Sequence, residues 1–214
     1  FGTLVDLSIW GAPPDRAKAA ADRVARDLQV MHRDWHPWEP GPLTELNAAI
    51  AAGQDYRVTP SLLPLIRVSL DLERRSHGLF DPGIGRLVAL WGFHSDDIHK
   101  TKPPPDPGLV AELVAKRPSM EDLIIEGDRV GSRNPSVKLD FGAVAKGFAG
   151  DLVLARLREL GIEHALINLG GGLSALGRHG ERPWRVGIRH PPGAGILGAV
   201  TLESGEAVHT SGRY

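Results

Sequence analysis

The chain has 214 residues, enough for one domain with a sizeable core. Its 25 Lys and Arg stand against 26 Asp and Glu, so a net charge of −1 excludes the whole-chain basic balance of a protein that grips nucleic acid or an anionic membrane. Cysteine is absent, which excludes disulfides, thiolate metal sites, iron–sulfur clusters and a cysteine nucleophile.

No apolar run approaches the roughly 18–20 residues of a membrane span. The chain begins at Phe1 rather than Met, which leaves room for a targeting segment upstream. Residues 1–10 alternate loosely between apolar and polar and predict a strand. Pro13 and Pro14 open a helix in which Ala17, Ala20, Ala21, Val24, Leu28 and Met31 recur at three- and four-residue steps, so one stripe faces a core. Residues 32–42 read as a loop holding two Trp and two His. Trp35 and Pro37 argue against a helix continuing through His32 and His36, HEXXH is absent, and the nine His show no zinc pattern.

A second helix is predicted after Ser61, with Pro64 in its first turn and Gly78 as its C-terminal cap. Residues 94–108 form a polar excursion, and Asp106-Pro107 start a short helix ending near Lys116 and Arg117, before Pro118. A hairpin turns near Gly127-Asp128. Val137, Leu139 and Phe141 alternate with Lys138 and Asp140, a period-2 strand. A helix over 143–160 is capped by Gly161, and four strand-like stretches follow with Gly and Pro turns. Late-clustered antiparallel hairpins after mixed helices predict an α+β fold: one domain over 1–214 with a mixed, largely antiparallel sheet and packed helices.

Three stretches carry candidate chemistry. In residues 137–151 a strand delivers Asp140, Gly142 breaks it, and a helix begins almost at once, with Lys146 in its first turn. Free N–H groups at a helix start suit a phosphate, and Asp140 suits a base, a sugar hydroxyl or a ring N–H. A capping Asp, a turn Gly and a solvated Lys read equally well. The run Gly170-Gly171-Gly172 lets a backbone approach a ligand closely, or simply turns the chain. It is neither a P-loop nor a dinucleotide fingerprint, because a strand follows it. Asp81-Pro82 fixes a carboxylate on a stiff backbone near Phe80, Trp91 and Phe93, or is an ordinary turn among core aromatics.

Together these stretches resemble the ApbE-like family, the FAD:protein FMN transferases. The resemblance covers essentially the whole chain, in order: Gly2-Thr3, Leu43-Thr-Glu-Leu-Asn47, His77-Gly-Leu-Phe-Asp-Pro82, Leu90-Trp-Gly-Phe93, Leu139-Asp-Phe-Gly-Ala-Val-Ala-Lys-Gly147, Leu166-Ile-Asn-Leu-Gly-Gly171, Trp184 with Val186-Gly-Ile188, and Thr210-Ser-Gly212. It implies a Mg²⁺-dependent enzyme that binds FAD, cleaves its pyrophosphate, transfers FMN to a Thr or Ser hydroxyl of a target flavoprotein and releases AMP. Some members hydrolyse FAD to FMN and AMP, and a flavin-binding protein without turnover is a further alternative.

The resemblance places Phe1, Trp38, Leu79, Phe80, Asp81, Asp140 and Lys146 at the flavin site. Trp38 stands near a family Tyr that stacks on the flavin. Ala143 would give Mg²⁺ its backbone carbonyl. The family pattern continues past Thr210-Ser-Gly212 with a His-containing HxxDPxTG stretch and an Asp…Thr pair, so the carboxylate metal ligand and the catalytic His are expected beyond Tyr214. No catalytic side chain is assigned within 1–214. The resemblance also implies the periplasmic side of a bacterial membrane and a lipid anchor upstream, with no nucleic-acid partner.

Overall fold

A computed structural model describes residues 2–95, 103–190, 193 and 195–210. Phe1 lies outside them. The chain divides into two compact units, Val30–Ala145 and the described residues of Gly2–Gln29 with Lys146–Tyr214. Strand β1 is Val5–Ile9 and helix α1 is Pro14–Trp35. The expected stripe on α1 is buried at Ala20, Val24, Leu28 and Met31. The helix also runs on to Trp35, past the predicted loop start at His32. Burial explains the extension: Trp35 is 4% exposed and its Nε1 donates to the Ser61 carbonyl at 3.1 Å.

The unit Val30–Ala145 adds α2 (Pro42–Ala51), β2 (Tyr56–Arg57), α3 (Leu62–Arg75), α4 (Gly85–Leu90), α5 (Pro107–Ala115), a 3₁₀ turn (Met120–Asp122), β3 (Leu123–Glu126) and β4 (Arg129–Ser132). Sequence reading missed α2, hidden behind the proline-rich loop. Pro42 opens it where a missing N–H costs nothing, the Gly41 N–H donates to Thr44 Oγ1 at 2.9 Å, and Leu43, Leu46 and Ile50 bury one side. The short α4 was also missed.

Other signals hold. Pro64 lies in the first turn of α3, and Gly78, at φ 78°, closes its end by donating to the Glu73 carbonyl at 3.0 Å. Asp106 caps α5, accepting from the Gly108 and Leu109 N–H groups at 2.8 and 3.1 Å. The hairpin β3–β4 turns at Gly127-Asp128, and β2 pairs with the other edge of β4, giving an antiparallel sheet in the order β2-β4-β3.

Residues 137–141 depart from expectation. Val137, Leu139 and Phe141 are buried as the alternation requires, but the segment is no regular strand and makes only an isolated parallel bridge from Lys138 to Ile84.

Glu73 and Asp81 share one donor in this unit. The Met120 N–H reaches Glu73 Oε1 at 3.2 Å and Asp81 Oδ1 at 3.3 Å, and the Ser119 hydroxyl donates to Glu73 Oε1 at 2.6 Å. Glu73 Oε2 is buried with no partner among the described residues. Burial pushes the Glu73 carboxyl above its ordinary range, although the Ser119 bond pulls it back, and burial does the same to Asp81. A raised folded-state pKa means that stability is lost as pH rises from the unfolded value of ~4 through the folded one. Glu73→Gln keeps the acceptor and removes the charge. Its unfolding free energy in urea, relative to the parent protein, is expected to improve as pH rises above the unfolded value of ~4 and to level off beyond the raised folded one. A difference that ignores pH would rule out this account.

The other unit adds α6 (Ala145–Glu159, entering it at Lys146), β5 (Ala165–Leu169), β6 (Gly172–Leu176), β7 (Trp184–Arg189), β8 (Ile196–Leu202) and β9 (Ala207–His209). One antiparallel sheet runs β1-β5-β6-β9, and β7 pairs with β8. Every second residue of β5 is buried. Gly150 lets α6 lie close on β6, because a Cβ there would stand 2.7 Å from Ser174 Oγ. Arg156 on α6 reaches Asp27 on α1 at 2.8 Å. Trp184 packs with Ala175 and Leu202, and its Nε1 donates to the Leu176 carbonyl at 3.1 Å.

The glycine run is the β5–β6 hairpin turn. Gly170 needs its left-handed φ of 60°, Thr3 fills the space its Cβ would take, and the Gly171 N–H donates to Asn168 Oδ1 at 2.9 Å. His209 crowds Gly172 in the same way. Protein side chains occupy the openings that glycine leaves there.

Candidate functional site

The candidate site lies within Val30–Ala145 and is built from two motif segments that hydrogen-bond to each other. The Lys138 N–H donates to the Gly83 carbonyl at 3.1 Å, the Gly85 N–H to the Lys138 carbonyl at 2.7 Å, and the Asp140 N–H to the Pro82 carbonyl at 2.9 Å. The Asp81-Pro82 turn and the Asp140 segment therefore lie side by side. Gly85 permits this approach: a Cβ there would stand 2.5 Å from the Lys138 carbonyl oxygen and 3.2 Å from Asp140 Cβ. On the remaining side of residues 138–140 no strand pairs among the described residues. The buried amide of Asn47 takes that place, accepting from the Leu139 N–H at 2.7 Å and donating to its carbonyl at 3.0 Å. This substitution of a side chain for a neighbouring strand is why the predicted strand is not regular.

Asp140 projects opposite the buried face of its segment. Its Oδ1 accepts from the Gly142 N–H at 2.8 Å, and its Oδ2 lies 2.7 Å from His94 Nε2. Both side chains are 9% exposed. Burial alone would raise the Asp140 carboxyl. The His94 bond, the Gly142 N–H and the charges of His94 and Lys138 outweigh it and hold the group below its ordinary range. Trp38 stacks on His94 with ring centres 5.2 Å apart and planes 27° from parallel, while His36 meets Trp38 edge-on at 4.5 Å. Trp38 also lines a cavity of about 330 Å³ with Pro37, Thr44, Asn47, Arg86 and Lys138. Burial and the neighbouring Arg86 push the Lys138 ammonium down.

The expected residues thus fall as follows. Trp38 and Asp140 are joined through His94. Asp81 lies beside the Asp140 segment, with Oδ1 bound to the Gly83 N–H at 2.7 Å. Leu79 is 93% exposed and Phe80 is half-buried. Ala143 is exposed, and Lys146 is half-buried in the first turn of α6. Phe1 is outside the described residues. Sequence reading missed His94, Lys138, Arg86 and the role of Asn47. Only the alternation that puts Lys138 on the same face as Asp140 signalled any of them.

Magnesium takes about six oxygen ligands in near-octahedral array. The described residues offer the Ala143 carbonyl, while both oxygens of Asp140, three residues earlier, are engaged. This set does not by itself fit magnesium. The described residues hold one other cluster of potential ligands, His32, His36 and Glu39. There the Glu39 N–H donates to His36 Nδ1 at 3.0 Å, which leaves the ring proton on Nε2, 3.9 Å from Glu39 Oε2. That tautomer has no lone pair at Nε2 for a cation, so the cluster is a clasp at the end of α1.

A match to the ApbE family extends over residues 1–214. The chain belongs to the ApbE family. An FAD:protein FMN transferase of Rhodobacter capsulatus is 49% identical over 218 aligned residues, which take in all of this chain and 40% of that protein. One from Treponema pallidum is 31% identical, over all of this chain and 63% of that protein. The crystal structure of the ApbE protein of Thermotoga maritima superposes with a TM-score of 0.80 at 25% identity, covering 96% of this chain and 65% of that one. The Vibrio cholerae flavin transferase ApbE, at 24% identity and a TM-score of 0.73, shares the fold. The chain therefore spans less than two thirds of the length of these relatives. The expected α+β architecture of helices and antiparallel sheets is that of the ApbE structures.

Proposed function

We propose that this chain is the flavin-binding part of an FAD:protein FMN transferase. The carrying observation is the pairing of the Asp81-Pro82 and Asp140 segments, with Trp38 joined to Asp140 through His94, in a chain whose whole length matches relatives named for that activity. In the reaction, the hydroxyl oxygen of a target Thr or Ser bonds to the FMN phosphorus of FAD. The pyrophosphate bond to that phosphorus breaks, the hydroxyl proton is lost, and AMP leaves.

The chain's own part is to hold the donor. Ionised Asp140 accepts from a ring N–H or a sugar hydroxyl of FAD, Trp38 offers a face for the flavin ring, and Leu79 and Phe80 give an apolar wall. Such positioning lowers the barrier by converting an encounter between two molecules into a step within one complex. Lys146 keeps the flavin-site position that the resemblance gives it, in a helical turn whose free N–H groups suit a phosphate. Magnesium dependence, a periplasmic setting, a lipid anchor and a flavoprotein target belong to this proposal through the resemblance. Among the described residues, no helix is long and apolar enough to cross a membrane.

The test incubates the full-length protein with FAD, Mg²⁺ and a flavoprotein domain bearing an acceptor Thr or Ser. Intact mass is expected to show a covalent FMN adduct, with AMP released in equal amount. AMP and free FMN without an adduct would instead show a pyrophosphatase. Neither product would sink both enzymatic readings.

A further inference from the structure

We infer that His94 is a built-in occupant of the flavin site, holding the Asp140 carboxylate and a face of Trp38 until FAD displaces it. The inference rests on the flavin reading above. Two residues placed at the flavin site by that reading are bridged by one imidazole, 2.7 Å from Asp140 Oδ2 and stacked on Trp38 at 5.2 Å. The bridge leaves little of Asp140 available. Its other oxygen is bound to the Gly142 N–H, and the side chain is 9% exposed. A ligand that donates a hydrogen bond to Asp140 and stacks on the same face of Trp38 meets the imidazole in its way.

Chain geometry fits a displaceable group. Helix α4 ends at Leu90, Gly92 turns the chain at φ 85°, and the Phe93 N–H donates back to the Val88 carbonyl at 3.2 Å. His94 follows this clasp, so its release needs a side-chain rotation and leaves α4 intact. The bridge satisfies a nearly buried carboxylate before FAD binds, which would otherwise lose the worth of a charge-assisted hydrogen bond. FAD affinity is reduced by that same worth, because binding must break the bridge first.

The experiment titrates FAD into the full-length protein and its His94→Ala variant, following quenching of flavin fluorescence. The variant is expected to bind about tenfold more tightly, the scale of one net charge-assisted hydrogen bond. Equal or weaker binding by a variant that still melts cooperatively would overturn the inference and leave the flavin reading standing. A second measurement uses the parent protein alone. The His94 ring resonances in its NMR spectrum, identified by their loss in the variant, are expected to shift at saturating FAD. Resonances unmoved at saturation would also overturn it. If neither protein binds FAD, the flavin reading fails and takes this inference with it.

Discussion

Asp140→Ala is expected to weaken FAD binding by roughly ten- to a hundredfold, the range for losing a hydrogen bond to a charged acceptor. Calorimetry on the full-length protein measures it, and unchanged affinity would remove Asp140 from the site. The substitution also frees the Gly142 N–H and His94, so the fold loses about 1–3 kcal/mol. Asp140→Asn separates the two effects, since its amide oxygen still accepts from Gly142 but carries no charge. Its binding is expected to fall while its melting temperature stays closer to the parent's. The linkage has a definite sign. A carboxyl held below its ordinary range contributes stability that is present above the unfolded value of ~4 and is lost as pH falls through the lower folded value. Parent and Asp140→Asn should therefore converge in stability at low pH, and the variant should fall behind as pH rises, where Glu73→Gln gains on the parent.

Much of the frame was legible because local rules decided it. The stripe on α1, the Asp106 cap, the Gly127-Asp128 turn and the alternation of β5 each follow from a few neighbouring residues. Where the reading failed, a distant partner had overridden the local signal. Trp35 extends α1 because it is buried and bonded to Ser61, 26 positions away. The glycine run left a ligand cradle and a plain turn both open, and the residues that fill its openings, Thr3 and His209, come from opposite ends of the chain. The same limit applies at the candidate site. Asp140 stood out from its strand-to-helix setting and Trp38 entered through a family resemblance, but nothing local in the sequence marks His94 as their bridge, because 46 residues separate it from Asp140.

Asn47→Ala is expected to destabilise the Val30–Ala145 unit by about 2–5 kcal/mol in urea unfolding. Asn47 is 8% exposed, and its amide satisfies both the N–H and the carbonyl of Leu139, itself fully buried. Truncation leaves a buried donor and a buried acceptor unpaired, each costing roughly 1–3 kcal/mol, beyond any loss of packing. Asn47→Asp tests whether the effect is the paired amide and not its volume. The carboxylate can accept from the Leu139 N–H, but it faces the Leu139 carbonyl with charge and no donor, so it should be at least as destabilising as Ala. A loss below about 1 kcal/mol for both variants would show that Leu139 finds other partners. Because Leu139 precedes Asp140, the surviving folded protein should also bind FAD less tightly. That second loss would tie the Asn at the end of the Leu43–Asn47 motif to the position of the carboxylate, 92 residues from the backbone it holds.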